Sequence, residues 1–117
     1  MVTLRPVRVA DAELLGMSKR DFRRDGQDRD LGRAARFAAV VEDAVVGLFM
    51  LHTIRGGTAE CGVYVVPERR RQGVATEALR LLVARAAPLQ VSFVTTRDNV
   101  AAQRLAVRVG LEVSWPA

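Results

Sequence analysis

The stretch VVPERRRQGVATEAL, Val65 to Leu79, decides the reading of this chain. An apolar run with strand character ends at Pro67, and a new run with helical spacing starts just after Gly73, so a strand passes through a short turn into a helix. That junction suits an anion. The first amides of a helix have no internal acceptors and its N-terminus carries partial positive charge, so a pyrophosphate can take hydrogen bonds directly from the backbone. Gly73 and Ala75 are small, where a larger side chain would hold the phosphates off the amides. Arg69, Arg70 and Arg71 add positive charge on the approach.

Working outward, the helix GVATEALRLLVARA places Val74, Ala78, Leu81 and Leu82 on an apolar stripe, with Thr76, Glu77 and Arg80 on its polar side. Upstream, RFAAVVE and AVVGLFMLHTI meet at Glu42 and Asp43 with hairpin spacing. Gly56 and Gly57 make a second turn into TAECGVYVVP. On that strand Cys61, Val63 and Val65 share one face, and Glu60, Gly62 and Tyr64 the other. Downstream, LQVSFVT reads as a strand. Asn99 can cap a helix with Ala101, Leu105 and Val109 on one stripe and Gly110 at its end, and LEVSW begins a last strand. At the start, Val2 to Val9 reads as a strand leading to Asp11, a good N-cap for a helix over AELLGMSKRDF with Leu14, Leu15 and Met17. The charged RRDGQDRDLGRAAR after it reads as an exposed loop. The order is β, α, three β in a meander, α, β, α, β. It implies an α/β (α+β) fold, a mixed and mainly antiparallel sheet of about six strands with helices on its faces.

The chain's 117 residues make one domain, 1–117, and 50% apolar with 26% charged residues is a globular profile. The longest apolar runs, such as Ala44 to Leu51, are too short to span a membrane, and the N-terminus has no secretory pattern, so the expected location is cytoplasmic. Cys61 is the only cysteine, which rules out an internal disulfide and reads as a small core residue; with one His beside it, no Cys/His zinc site can form, so no metal is expected. The net charge of +5 favours anionic partners such as coenzyme phosphates, acidic proteins or RNA. Since Lys19 is the only lysine and Ala and Val abound, a GC-rich genome would give the same bias. Nucleic acid is the weakest of these partners, because 5% aromatics leave no stacking platform.

At these residues the sequence resembles the GNAT family of N-acetyltransferases, whose signature after a strand is V-x-P-x-x-[QR]-x-x-G-x-[GA]. Here it reads Val65, Pro67, Arg70, Gly73 and Ala75. DNVAAQRLAVRVGLE resembles the family's second block, and TLRPVRVADAELL its first strand and helix. The resemblance implies acetyl-coenzyme A (acetyl-CoA) as co-substrate. Arg70 with the backbone of Arg71, Gln72, Gly73, Val74, Ala75 and Thr76 would hold the pyrophosphate, the end of the strand at Val65 would pair with the pantetheine arm, and Asn99 would cap its helix facing that arm. ECGVYVVPERRRQGVATEAL followed by N-x-A-x-Q-R is most similar to the group that acetylates ribosomal-protein N-termini and small amines. The acceptor is left open between a protein N-terminus and a small-molecule amine.

Direct transfer needs a neutral amine, a stabilised oxyanion and a proton for the leaving thiolate, and no covalent enzyme intermediate. Glu60 is the candidate base; pairing with an arginine is its competing reading. Tyr64, on the same face, lines the acceptor pocket or packs. His52 reads as an exposed or satisfied strand residue. The family often carries a tyrosine seven positions after the asparagine, where this chain has Ala106, and the ribosomal-protein group a serine three positions after it, where this chain has Ala102. Water or Tyr64 would then protonate the thiolate, or the fold would serve as a non-catalytic acyl-CoA or partner-binding module. The chain stops inside the expected sixth strand where the family adds a seventh, and the open sheet edge suggests a homodimer or a truncated protein.

Overall fold

The computed structural model describes residues 1–8, 10–11 and 35–115; the helix expected over AELLGMSKRDF and most of the charged segment after it lie outside them. The elements are β1 (Thr3–Pro6), β2 (Ala35–Val41), β3 (Ala44–Arg55), β4 (Thr58–Val65), a 3-10 turn (Pro67–Arg69), α1 (Val74–Ala86), β5 (Gln90–Val94), α2 (Val100–Val109) and β6 (Glu112–Ser114). The described strands form one six-stranded sheet in sequence order, β1 to β6. β1 to β4 pair antiparallel, while β4–β5 and β5–β6 pair parallel across the helical crossovers.

The hairpins form where the turn chemistry puts them. Glu42 and Asp43 both take positive φ (48° and 65°) between Val41 and its partner Ala44, the backbone of a two-residue turn whose twist suits the flanking strands. Gly56 and Gly57 do the same between Arg55 and Thr58. A Cβ on Gly47 would run into the carbonyl of Tyr64, so glycine lets β3 lie close against the end of β4.

The core lies between the sheet and the two helices. Phe49, Cys61 and Phe93 meet Ala78, Leu79, Leu82, Leu105 and Ala106 there, and all are buried. The apolar arc of α1 differs from the expected one: Leu79 is fully buried, whereas Leu81 is 38% exposed. The cause is β1, which lies beneath the helix on that side; Glu77 Oε1 accepts a bond from Val2 N (3.2 Å), and an Arg85 guanidinium nitrogen donates to the Leu4 carbonyl (3.1 Å). In α2, likewise, Leu105 and Ala106 are buried while Ala101 is exposed. The sheet's other face carries a smaller cluster of Val7, Ala38 and Leu48.

Asp11 does not act as an N-cap in its own right. Ala10 and Asp11 are already helical, and the Asp11 carboxylate reaches back to accept from Arg8 N (2.7 Å), while Asp11 N donates to the Arg8 carbonyl (2.9 Å). Both Asp11 oxygens also accept from the Arg5 guanidinium, at 2.8 and 2.9 Å. Those bonds, Arg5 first and then the Arg8 amide, hold the buried Asp11 carboxyl below the usual carboxylate range against the opposing effect of burial.

Candidate functional site

The loop between β4 and α1 is built to leave amides unused. Pro67 starts its 3-10 turn, which uses the Arg69 and Arg70 amides on the carbonyls of Val66 and Pro67. Beyond it the backbone turns left-handed at Arg71 (φ 65°) and at Gly73 (φ 77°), the N-cap of α1, which carries no side-chain cap. Among the described residues no acceptor meets the amides of Arg71 to Thr76. An arrangement of this kind lets successive N–H groups converge on one anion. The space beside Gly73 is open, with nothing within 4 Å of where a Cβ would stand, so glycine is needed here for its positive φ and for access rather than to avoid a clash. Val74 anchors the helix start in the core with its side chain, and Ala75 packs half-buried against that core.

The side chains of the loop hold its shape. Arg70 Nε donates to the Val65 carbonyl (3.0 Å), and its guanidinium lies 5.9 Å from the centre of the Tyr64 ring. Gln72 Nε2 donates to the Glu68 carbonyl (3.2 Å). Arg70 thus clamps the loop to the strand it leaves, and the Val65 carbonyl already has one protein donor.

Next to this loop the sheet parts. β4 pairs with β5 only from Thr58 to Cys61, whereas its pairing with β3 continues to Val65. From Gly62 onward β4 is therefore paired on one side only among the described residues, and its free backbone edge leads to the loop amides. An extended ligand with amide groups can pair there and end its anionic part on the helix start.

Glu60 lies just before the parting point, on the face away from the two helices, in register with His52 of β3. Its described side-chain neighbour is that histidine, Nδ1 to Oε2 at 3.5 Å, rather than an arginine, and both side chains are about a third exposed (36% and 37%). Tyr64 shares this face and is 38% exposed. Cys61 points the other way and is fully buried; burial pushes its thiol up to about 12, so it holds its proton and offers no nucleophile. Among the described residues no cluster of His, Cys, Asp and Glu could hold a metal ion.

Asn99 caps α2, its Oδ1 accepting from Ala102 N (3.1 Å), and Gly110 closes the helix in the left-handed region (φ 84°). Ala106 is fully buried and Ala102 packs against the core. A groove of about 630 Å³ runs between the two helices, lined by Gly73, Thr76, Glu77, Arg80, Leu81 and Arg108. Sequence reasoning passed over Arg108 and gave Arg80 no role. The four-residue steps from Thr76 to Arg80 put that pair on one helical face, but only the tertiary fold brings Arg108 to it.

The described fold is a mixed sheet whose middle strands part beside an uncapped helix start. A family model described as the acetyltransferase (GNAT) family matches residues 8–111, and the chain belongs to that family. The Mycobacterium smegmatis RimJ structure in complex with CoA-disulfide has a TM-score of 0.76 at 18% identity, covering 91% of this chain and 68% of that one. The spermidine N-acetyltransferase from Vibrio cholerae in complex with CoA and spermine has a TM-score of 0.78 at 16% identity, covering 93% of this chain and 79% of that one. At these identities the likeness establishes the fold. No curated protein sequence matches the chain.

Proposed function

We propose that this chain is an acetyl-CoA-dependent N-acetyltransferase that moves the acetyl group directly to an amine, either a protein N-terminus or a small-molecule amine. The observation that carries this reading is the set of unused amides from Arg71 to Thr76 at the end of the half-paired strand β4. The pyrophosphate of acetyl-CoA would rest on those amides and the pantetheine arm along the edge from Gly62, with Arg70 holding the loop and Asn99 holding the start of α2. The net charge of +5 favours the same polyanionic ligand.

Bound acetyl-CoA supplies an activated thioester carbonyl. The amine nitrogen forms the new C–N bond and the C–S bond breaks. Glu60 accepts the proton that the amine loses, directly or through water, with His52 holding its carboxylate. Tyr64 or water returns a proton to the departing thiolate. Titration of the folded protein with acetyl-CoA in a calorimeter tests the reading, with saturable binding expected; a folded sample that binds none would sink it.

A second reading, a non-catalytic acyl-CoA or partner-binding module of the same fold, is favoured by one feature. The buried Ala106 and the half-buried Ala102 occupy the positions where the family carries its tyrosine or serine proton donor. Thiol release above background with any member of an amine panel removes that reading. β1 and β6, the outer strands of the described sheet, leave edges on which a second copy could pair. No described helix is long and apolar enough to cross a membrane, and a cytoplasmic location belongs to the same proposal.

A further inference from the structure

The register of the sheet lines up a row of polar side chains on the face that carries Glu60. His52 of β3 is opposite Glu60 of β4, Glu60 is opposite Ser92 of β5, and Ser92 is opposite Glu112 of β6. Directly paired residues share a face, and their chain neighbours settle which one. Cys61, Phe93 and Val113 pack into the core under the helices, so Glu60, Ser92 and Glu112 face away from it. Glu60 and Glu112 stand two strand spacings apart, about 10 Å at the backbone, with a hydroxyl between them.

The charge on this side of the sheet has one sign. β4, β5 and β6 contain Glu60 and Glu112 and neither Lys nor Arg, although the chain as a whole carries +5. The basic strand residues Arg5, Arg36 and Arg55 belong to β1, β2 and β3, so β4 and β5 lie between them and Glu112. Arg5 is bonded to Asp11, Arg36 is buried, and Arg97, in the loop after β5, lies over the Trp115 ring at 4.4 Å. Glu112 is exposed, and among the described residues no hydrogen bond or ion pair engages its side chain. Ser114 adds an independent observation. Two residues on from Glu112 and on the same face, its Oγ is buried and has no hydrogen-bond partner among the described residues. Such a hydroxyl costs free energy that a ligand donor recovers. The residue as a whole is half-buried, and a turn about χ1 brings the oxygen to the surface. An ammonium has three N–H donors, and Glu112 and Ser114 offer acceptors to two of them from one strand.

We infer that Glu112 and Ser114 hold a second cationic group of the acceptor while its reacting amine meets Glu60. This inference rests on the transferase reading above and deepens it by naming the substrate class. The acceptor is an amine with a further ammonium or guanidinium at its other end, supplied by a linear diamine or by a basic side chain next to a peptide N-terminus. Glu112 attracts the second charge and so delivers the first amine to Glu60, which makes its effect one on binding.

Initial rates with acetyl-CoA test this in the wild type, Glu112→Gln and Glu42→Gln. The acceptors are pentane-1,5-diamine against pentylamine, and a tripeptide with lysine second against the same peptide with norleucine second. Wild type should favour the dicationic member of a pair by about two- to fivefold in kcat/KM, as suits a carboxylate in contact with water. The preference should lie in KM and shrink as salt is raised. A preference in the diamine pair assigns a small-molecule acceptor, and one confined to the peptide pair assigns a protein N-terminus. Glu112→Gln should bring the ratio near one with the rate on the monocationic member unchanged. Glu42→Gln, the same loss of charge in the turn at the far end of β3, should leave the ratio as it is in wild type. Equal use of both members of both pairs by the wild type would overturn the inference while leaving the transferase reading in place. So would a preference that survives Glu112→Gln, or a variant that loses both rates alike with a lowered melting temperature. Turnover of no amine by a folded sample that binds acetyl-CoA removes transfer and the inference with it.

Discussion

α1 and α2 start in equivalent places, each just beyond the carboxyl end of one of two parallel strands, yet their first turns are finished in opposite ways. At α2, Asn99 accepts from Ala102 N, and the Gln103 side chain donates to the carbonyls of Thr96 and Arg97 at 3.2 and 2.8 Å. That start satisfies itself. At α1 the N-cap is Gly73 with no side-chain cap, and no described acceptor reaches the amides beside it. Near the N-terminus the Arg8 amide likewise meets a side chain, the carboxylate of Asp11. A helix start with its own cap is a structural joint, and one whose N-cap has no side chain leaves its donors for a ligand.

Reversing that difference should have the largest consequence. Gly73→Glu puts a negative side chain into the open space where a phosphate would sit, so acetyl-CoA binding should vanish in calorimetry. The cost to folding should be modest, on the order of 1–2 kcal/mol for a side chain at positive φ. Unchanged affinity in a folded variant would mean that α1 does not differ from α2 in the way described. Next comes a change that leaves every helix start alone. Glu60→Gln should lower kcat/KM by about 10² to 10⁴ with acetyl-CoA affinity nearly constant, and the deficit should shrink as pH rises because more amine is already neutral. A deficit independent of pH, with a lowered melting temperature, would instead make Glu60 a structural partner of His52.

Asn99→Ala should act on the opposite quantity from Gly73→Glu, destabilising the fold by about 1 kcal/mol in denaturant melts. A variant that lost cofactor affinity without losing stability would break the comparison. The smallest effect concerns Asp11. Because the folded state holds the Asp11 carboxyl below its usual range, this group contributes stability above the ordinary carboxylate pKa and loses it as pH falls through the lower folded value. Melting temperatures measured from pH 7 downward should therefore show a steeper acid decline for wild type than for Asp11→Asn, which should be less stable at neutral pH. Parallel declines would remove Asp11 from the account.

Much of this was legible in the chain because local chemistry and tertiary structure agree. Glu42-Asp43 and Gly56-Gly57 are turn formers placed between apolar runs, and they made the turns that join β2, β3 and β4. Asn99 and Gly110 bound α2 as capping residues do. Helix faces were read less well. Leu81 and Leu79 are almost equally compatible with a stripe through Val74, Ala78 and Leu82, and only the position of β1 chooses between them. The same limit applies to Arg108, since a groove between two helices has no period in one sequence. The partner of Glu60 was hidden for a related reason, because the register that sets it opposite His52 depends on an irregular turn end between His52 and Arg55.

The short pairing of β4 with β5 has a mechanical meaning. The antiparallel strands β1 to β4 and the strands β5 and β6 are joined in the sheet by the residue pairs from Thr58–Gln90 to Cys61–Phe93, and α1 packs against strands on both sides of that seam. A molecule laid along the seam from Gly62 onward would touch the strands on both sides of it, and its occupancy would be read directly as added resistance of the fold to unfolding.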